Sequence, residues 1–108
     1  MAGIADTYVL DLVTHDPDSD EYALIMIETR EWGHSPDQLA QLQEKINNYT
    51  AFALDGLADR YPDSVGRPLR FQLDCVSPPI GEYADLVAHA ARLFADHEIR
   101  FVVNVLDR

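Results

Sequence analysis

The stretch Glu28-Thr-Arg-Glu-Trp-Gly-His-Ser-Pro-Asp-Gln38 decides the fold, because it joins the apolar run Ala23-Leu-Ile-Met-Ile27 to a long amphipathic segment. An apolar run of this kind is typical of a strand in the middle of a sheet. The stretch holds the only Trp, and its end predicts a helix start with Ser35 as N-cap, Pro36 in the first turn and Gln38 completing a capping box. The sequence therefore predicts a strand-to-helix junction here.

Hydrophobic periodicity places the remaining elements. The predicted strands cover residues 8–14, 21–29, 67–76 and 99–106, and the predicted helices cover residues 36–57 and 81–96. Between the first two strands, Asp16-Pro-Asp-Ser-Asp20 is dense in turn formers and predicts a hairpin loop. The order is ββαβαβ, which we interpret as a single domain over residues 1–108.

This element order has a geometric consequence for the sheet. Crossovers from strand through helix to strand are nearly always right-handed and join parallel strands. The predicted fold is therefore α/β, an α+β two-layer sandwich with a four-stranded mixed sheet and both helices on one face. In the third strand, apolar residues from Leu69 to Cys75 alternate with polar residues from Arg70 to Asp74, so its other face is expected to be solvated.

The sheet face without helices is expected to be half apolar. The residues predicted to lie there are Val9, Val13, Val102, Leu106 and either Leu24 with Met26 or the residues that alternate with them. A half-apolar open face favours a homodimer or another protein partner. The alternative is an ordinary surface with scattered apolar side chains.

Composition restricts the partners. Nineteen Asp and Glu against eight Lys and Arg give a formal charge of −11, which disfavours duplex nucleic acid and anionic membranes as partners. The acidity is interpreted as an aid to solubility, with a DNA-mimicking surface or a basic partner as the alternative. No run approaches membrane-spanning length and the N-terminus does not resemble a signal peptide, so a cytoplasmic location is predicted.

The chemical motifs predict neither a metal site nor a cofactor. Cys75 is the only cysteine, so a disulfide within the chain is impossible and a small buried side chain is expected. The Asp16-x-Asp18-x-Asp20 string lacks the glycine and the final glutamate of a calcium loop, and is read as a turn. The four histidines fit no metal template, although a catalytic pair assembled only in space stays open.

One edge of the predicted sheet concentrates the functional potential. Three strands end there and both helices begin there, and ligands in open α/β sheets prefer that edge. Trp32 would supply an apolar wall, His34 a titratable group, and Arg30 or Arg108 a counter-charge for an anion. The candidate crevice for a ligand or partner comprises Arg30, Trp32, His34, Ser35, Cys75 and Ser77. The alternative is that Trp32 packs over the helix start and His34 is solvated.

Several short motifs together resemble a known protein family. They are Glu31-Trp-Gly33, Leu42-Gln-Glu-Lys-Ile-Asn47, Tyr49, Phe52, Tyr61-Pro62 and Gly66-Arg-Pro68. Through them, the chain from about Tyr8 to Val103 resembles a family of small bacterial proteins of unknown function. The resemblance implies a small α/β protein with a Val/Leu-Asp-rich first strand and an Asp-Pro turn, and it supplies no activity, cofactor or catalytic residue.

Two functional hypotheses follow from the sequence. The leading one is a non-enzymatic, acidic, cytoplasmic interaction protein that forms a homodimer through the open sheet face. The alternative is a domain that binds a small molecule or an anion at the junction around Trp32 and His34. This alternative includes an enzyme that acts on such a ligand.

Overall fold

In the part of the chain that the structure describes, four strands form one sheet, with two long helices packed on one side. The computed structural model describes residues 12–106. The strands are β1 (Leu12–Asp16), β2 (Glu21–Glu28), β3 (Leu69–Cys75) and β4 (Arg100–Val105), and the helices are α1 (Gln38–Asp55), α2 (Leu57–Arg60) and α3 (Gly81–Ala95). The predicted order ββαβαβ is confirmed, with the short α2 and a 3-10 turn at Pro62–Ser64 added after α1. The part of the first predicted strand before Leu12, which includes Val9, lies outside the described residues.

The sheet has the predicted mixed topology. Its spatial order is β1-β2-β3-β4, with β1 antiparallel to β2 and with β2, β3 and β4 parallel to one another. β2 is therefore an interior strand, and its residues Ala23, Leu24, Ile25 and Met26 are all buried although they alternate between the two faces.

Alternation along the strands selects the core. In β3, Phe71, Leu73 and Cys75 are completely buried, as the sequence predicts, and Phe71 meets Phe94 edge to face with ring centres 4.5 Å apart. The core cluster also contains Leu24 and Met26 of β2, Leu42, Ile46 and Tyr49 of α1, and Ala90 of α3. Both long helices therefore cover the same face of the sheet. The Tyr49 hydroxyl donates to the backbone carbonyl of Ile25 at 2.8 Å, which ties α1 to the central strand.

The opposite side, which we call the open face, differs from the prediction in its membership. Val13 lies opposite Leu24, and both face the core, so the prediction for Val13 is wrong. Of the two sets that the sequence allows in β2, the residues that alternate with Leu24 and Met26 lie on the open face. Neighbouring positions in both strands are apolar, and only the pairing register decides which set points inward. The open face comprises Leu12, Thr14, Asp16, Glu21, Ala23, Ile25, Ile27, Arg70, Gln72, Asp74, Arg100, Val102 and Asn104. Leu106 follows the end of β4, where its amide donates to the Cys75 carbonyl at 2.7 Å.

The predicted start of α1 also needs correction. The helix begins at Gln38, Asp37 occupies the N-cap position, and no side chain caps the helix. Ser35 precedes the helix and contributes its carbonyl, which accepts from the Gln38 amide at 3.2 Å. The capping box does not form because the Gln38 side chain is directed into the preceding loop.

Candidate functional site

The junction after β2 is built around a buried carboxylate. Glu28 is 2% exposed, and Arg30 binds it with Nε 2.9 Å from Oε1 and Nη2 2.8 Å from Oε2. The Arg30 amide also donates to Oε1 at 2.9 Å. Burial raises the pKa of the Glu28 carboxyl, but the hydrogen bonds from Arg30 and Gln38 outweigh it, and the pKa lies below its ordinary value. Glu28 is therefore charged and paired in the folded protein.

Gln38 links this ion pair to the loop that follows β2. Its side chain is completely buried, and Nε2 donates to Glu28 Oε2 at 3.2 Å and to the Glu31 carbonyl at 3.1 Å. Its Oε1 accepts from the Gly33 amide at 2.7 Å and from the His34 amide at 3.1 Å. The Gly33 and His34 amides could otherwise donate to an anion, but they already donate to Gln38. Gly33 has φ of 85°, a conformation that a side chain rarely tolerates.

Trp32 connects the loop after β2 to the loop after β3. Its indole Nε1 donates to the Ser77 carbonyl at 2.8 Å, and its ring packs against Tyr83 with centres 4.9 Å apart and a 36° tilt. Trp32 is 9% exposed and belongs to the core cluster. The indole therefore contacts both an adjacent strand end and the first turn of α3.

The six predicted site residues separate into three groups. Arg30, Trp32 and Ser77 lie in the bonded cluster at the junction, although Ser77 contributes its carbonyl. Cys75 is buried and lies beside Glu28 in the register of β2 and β3. His34 is exposed and Ser35 is half-buried, both in the turn before α1. Arg108 lies outside the described residues. That this edge binds a ligand stays a prediction.

The Cys75 thiol is expected to be unreactive in the folded protein. Burial, together with the nearby charges of Asp74 and Glu28, raises its pKa to about 11, and thiolate is the reactive form. Ellman's reagent should therefore modify the native chain at least about 100-fold more slowly than the same chain in denaturant. Rapid modification of the native protein at neutral pH would contradict this placement of Cys75.

A second cluster of charges lies on the open face. Glu21 is 6% exposed, and its Oε1 accepts from Arg70 Nη1 at 2.9 Å and from Arg100 Nη2 at 2.7 Å. The hydrogen bonds from Arg100 lower the pKa of the Glu21 carboxyl, against the opposing effect of burial. Arg70 Nε is buried and has no acceptor among the described residues. The cluster fixes β2, β3 and β4 side by side at one end of the face.

A comparison with protein families identifies the chain. The model of one family, described as a family of unknown function (DUF6572), matches residues 2–107. The chain belongs to DUF6572. Neither the curated proteins nor the solved structures contain a match to it. The resemblance to a family of unknown function that the sequence motifs indicate is thereby confirmed.

In this DUF6572 chain the acidic hairpin is a turn, as predicted. Asp16 Oδ1 accepts from the Asp18 amide at 3.0 Å, and Asp20 pairs with His15 and Arg67. Among residues 12–106, no group of three His, Cys, Asp or Glu side chains could hold a metal ion. Within the same residues, none of the helices is both long enough and apolar enough to cross a bilayer.

Sequence reasoning missed the residues that organise both clusters. The sequence pattern predicts Glu28 as the end of a strand and Gln38 as a helix cap, whereas the two side chains bond each other. One feature of the sequence points to Glu28: it is a carboxylate at the end of a strand whose central residues, 23–27, are apolar and are expected to be buried on both faces. Glu21 and Arg100 are 79 residues apart, and only the strand order brings them together.

Within residues 12–106, grooves also lie away from the junction. One lies between α1 and α3, has a volume of about 310 Å³, and has Ile46 and Phe94 in its lining. Another has a volume of about 450 Å³ and lies at the opposite edge of the sheet from Trp32, beside Leu69 and Ile99. His97 lines both grooves, so they adjoin each other.

Proposed function

We propose that this chain is a non-enzymatic protein-interaction domain that pairs with a second copy of itself through the open face of its sheet. The observation that carries the proposal is the apolar strip on that face, formed by Leu12, Ile27 and Val102 beside the buried Ile25. Both long helices pack on the other side of the sheet. Leu12 is 44% exposed and Val102 is partly exposed, so the strip is accessible toward both of its edges.

The charge of the open face supports a second copy as the partner. The face carries three carboxylates, on Asp16, Glu21 and Asp74, against the guanidinium groups of Arg70 and Arg100, so it is almost balanced. The whole chain has a charge of −11, and two such chains repel each other on most approaches. Contact through a nearly neutral face keeps this repulsion lowest.

The proposal places the chain in the cytoplasm, in keeping with a single buried thiol.

The state of the junction supports a non-enzymatic role. Arg30 is bonded to Glu28 and Gln41, and the Trp32 indole is bonded to the Ser77 carbonyl. These groups already satisfy one another, so their arrangement favours support of the fold over chemistry on a substrate.

Glutamate substitutions on the apolar strip should convert the dimer to a monomer. Size-exclusion chromatography with light scattering is expected to give twice the chain mass of 12.2 kDa for the native protein and the single mass for Leu12→Glu and Val102→Glu. Each substitution places a charge in the proposed interface, and a buried unpaired charge is strongly unfavourable. Raising the ionic strength should strengthen the native dimer, because salt screens the like charges of the two copies.

The control is Ile80→Glu, which adds the same charge at a side chain that is 64% exposed and precedes α3. This variant should keep the dimer mass. A native protein that stays monomeric at high concentration and high salt would overturn the proposal.

A further inference from the structure

The outer surface of the helical layer carries a trough that the proposed dimer does not use. The apolar part of its floor is formed by Ile46 of α1 and by Ala90 and Phe94 of α3, which are 4–5% exposed and belong to the core cluster. Polar side chains also line it: Gln43, Asn47, Thr50, His89 and His97. On its α3 side stands Leu93, which is 52% exposed. Residues of the core therefore form the apolar part of the floor of the trough, and the large apolar side chain of Leu93 lies at its rim.

The trough continues beyond this first groove. His97 lines it and also lines the larger groove at the sheet edge, where Leu54 of α1 is 65% exposed. From Gln43, which lines the first groove, to Leu54, which lines the second, α1 advances by about 17 Å, or three helical turns. We call this combined depression the interhelical trough. Its length matches a short helix lying along α1 and α3.

The charges around the trough indicate the chemistry of its occupant. The first groove has no carboxylate in its lining, although the chain holds nineteen. Exposed carboxylates adjoin lining residues of the trough in the sequence: Asp55 follows Leu54, which lines the second groove, and Asp96 precedes His97, which lines both. Glu98 and Arg67 both line the second groove, and Arg67 is paired with the Asp20 carboxylate. An apolar channel with an acidic border is complementary to a helix that has one apolar stripe and basic flanks.

We propose that the interhelical trough binds an amphipathic, basic helix of another protein. The apolar stripe of that helix contacts Ile46, Phe94 and the exposed Leu54 and Leu93, and its Lys or Arg side chains lie near Asp55 and Asp96. The charge of −11 also steers a basic partner toward the chain and repels a second copy. This surface is on the opposite layer from the open face, so one chain can use both.

A model peptide tests the proposal directly. The probe is a fluorescein-labelled peptide of about 14 leucine and lysine residues with its leucines at helical spacing, and the measurement is fluorescence anisotropy at physiological salt. The variants Leu54→Glu and Leu93→Glu should each weaken binding by about tenfold or more. Both side chains are more than half exposed and lie on helices, where glutamate is well tolerated.

The sign of the effect separates docking from general charge attraction. Each substitution makes the chain more negative, so an electrostatic association without docking would tighten. Ile80→Glu adds the same charge away from the trough and should not weaken binding. Equal binding of a peptide with the same composition but no apolar stripe would overturn the proposal, as would unchanged or tighter binding by Leu93→Glu. Loss of the dimer in Leu93→Glu but not in Val102→Glu would assign the trough to a second copy, which also overturns it.

Discussion

Replacing Arg30 with alanine is expected to lower the free energy of unfolding by about 3 kcal/mol at neutral pH, because Glu28 then stays buried without its cation. Glu28 is 2% exposed, and the lost side chain supplies two charged hydrogen bonds to it and one to Gln41. Domains of this size are stable by about 5–15 kcal/mol, so the loss is a large fraction of the total. Urea unfolding followed by far-UV circular dichroism measures it.

The effect of Arg30→Ala should shrink in acid. The pKa of Glu28 in the folded protein lies below its ordinary value, so the unfolded chain binds the proton more readily. The stabilisation from the pair is therefore complete above the ordinary pKa of glutamate and is lost as the pH falls through the folded pKa. The difference in unfolding free energy between native protein and variant should be largest near pH 7 and clearly smaller near about pH 3.

Two further variants separate the buried charge from the loss of packing. Glu28→Gln in the Arg30→Ala background removes the unpaired charge, so the double variant should be more stable than Arg30→Ala alone. The matched control is Arg92→Ala, which removes an exposed arginine of α3 and should cost less than about 1 kcal/mol. If the double variant were no more stable than Arg30→Ala, the buried carboxylate could not be the cause.

Much of the fold could be predicted because its signals are local. In β3, Phe71 and Leu73 alternate with Arg70 and Gln72, and this alternation alone places the core on one side of the strand. The handedness of crossovers then gives the parallel pairing and puts both helices on the same face. These rules need no knowledge of distant contacts, and the mixed sheet they predict is confirmed.

The errors come from places where two local choices were equally good. Leu12 and Val13 are both apolar, so either could face the core, and pairing with β2 puts Val13 inside. At the start of α1, Gln38 is a suitable residue for a capping box. Its side chain instead forms hydrogen bonds with Glu28 and with the Gly33 and His34 amides. Those partners are positioned by the end of a neighbouring strand, which the sequence around the helix start cannot reveal.

The sequence predicts the location of the candidate site but not the hydrogen bonds within it. The carboxyl edge of a parallel sheet brings the loops after β2 and β3 together, so proximity of Trp32 and Ser77 follows from topology. Which atoms bond does not follow, because the indole donates to a backbone carbonyl that any residue at position 77 would offer. The Glu21 cluster was missed for a related reason: its three side chains come from three strands and have no shared local pattern.

Substituting Trp32 distinguishes a structural junction from a ligand wall. Trp32→Ala is expected to lower the free energy of unfolding by about 4 kcal/mol, since a large core side chain and its contact with Tyr83 are removed. Trp32→Phe keeps most of the apolar volume but leaves the Ser77 carbonyl without its donor, and should cost about 1–2 kcal/mol. Urea unfolding by circular dichroism measures both, and His34→Ala, in the same loop and exposed, should change stability by less than about 0.5 kcal/mol.

A ligand-binding role for the junction would give the opposite pattern. A tryptophan retained only to contact a ligand could be replaced by phenylalanine without loss of stability, and its emission in the native protein would respond to a panel of small anions. The hydrogen bond to Ser77 and the Tyr83 contact instead hold the indole 9% exposed, so a ligand could reach its face only after the loops after β2 and β3 separate. Binding at this edge would therefore oppose the same contacts that stabilise the fold. Two results together would show that the junction has a structural role. Trp32→Phe would be less stable than the native protein, and the fluorescence emission of Trp32 in the native protein would not change with the anions.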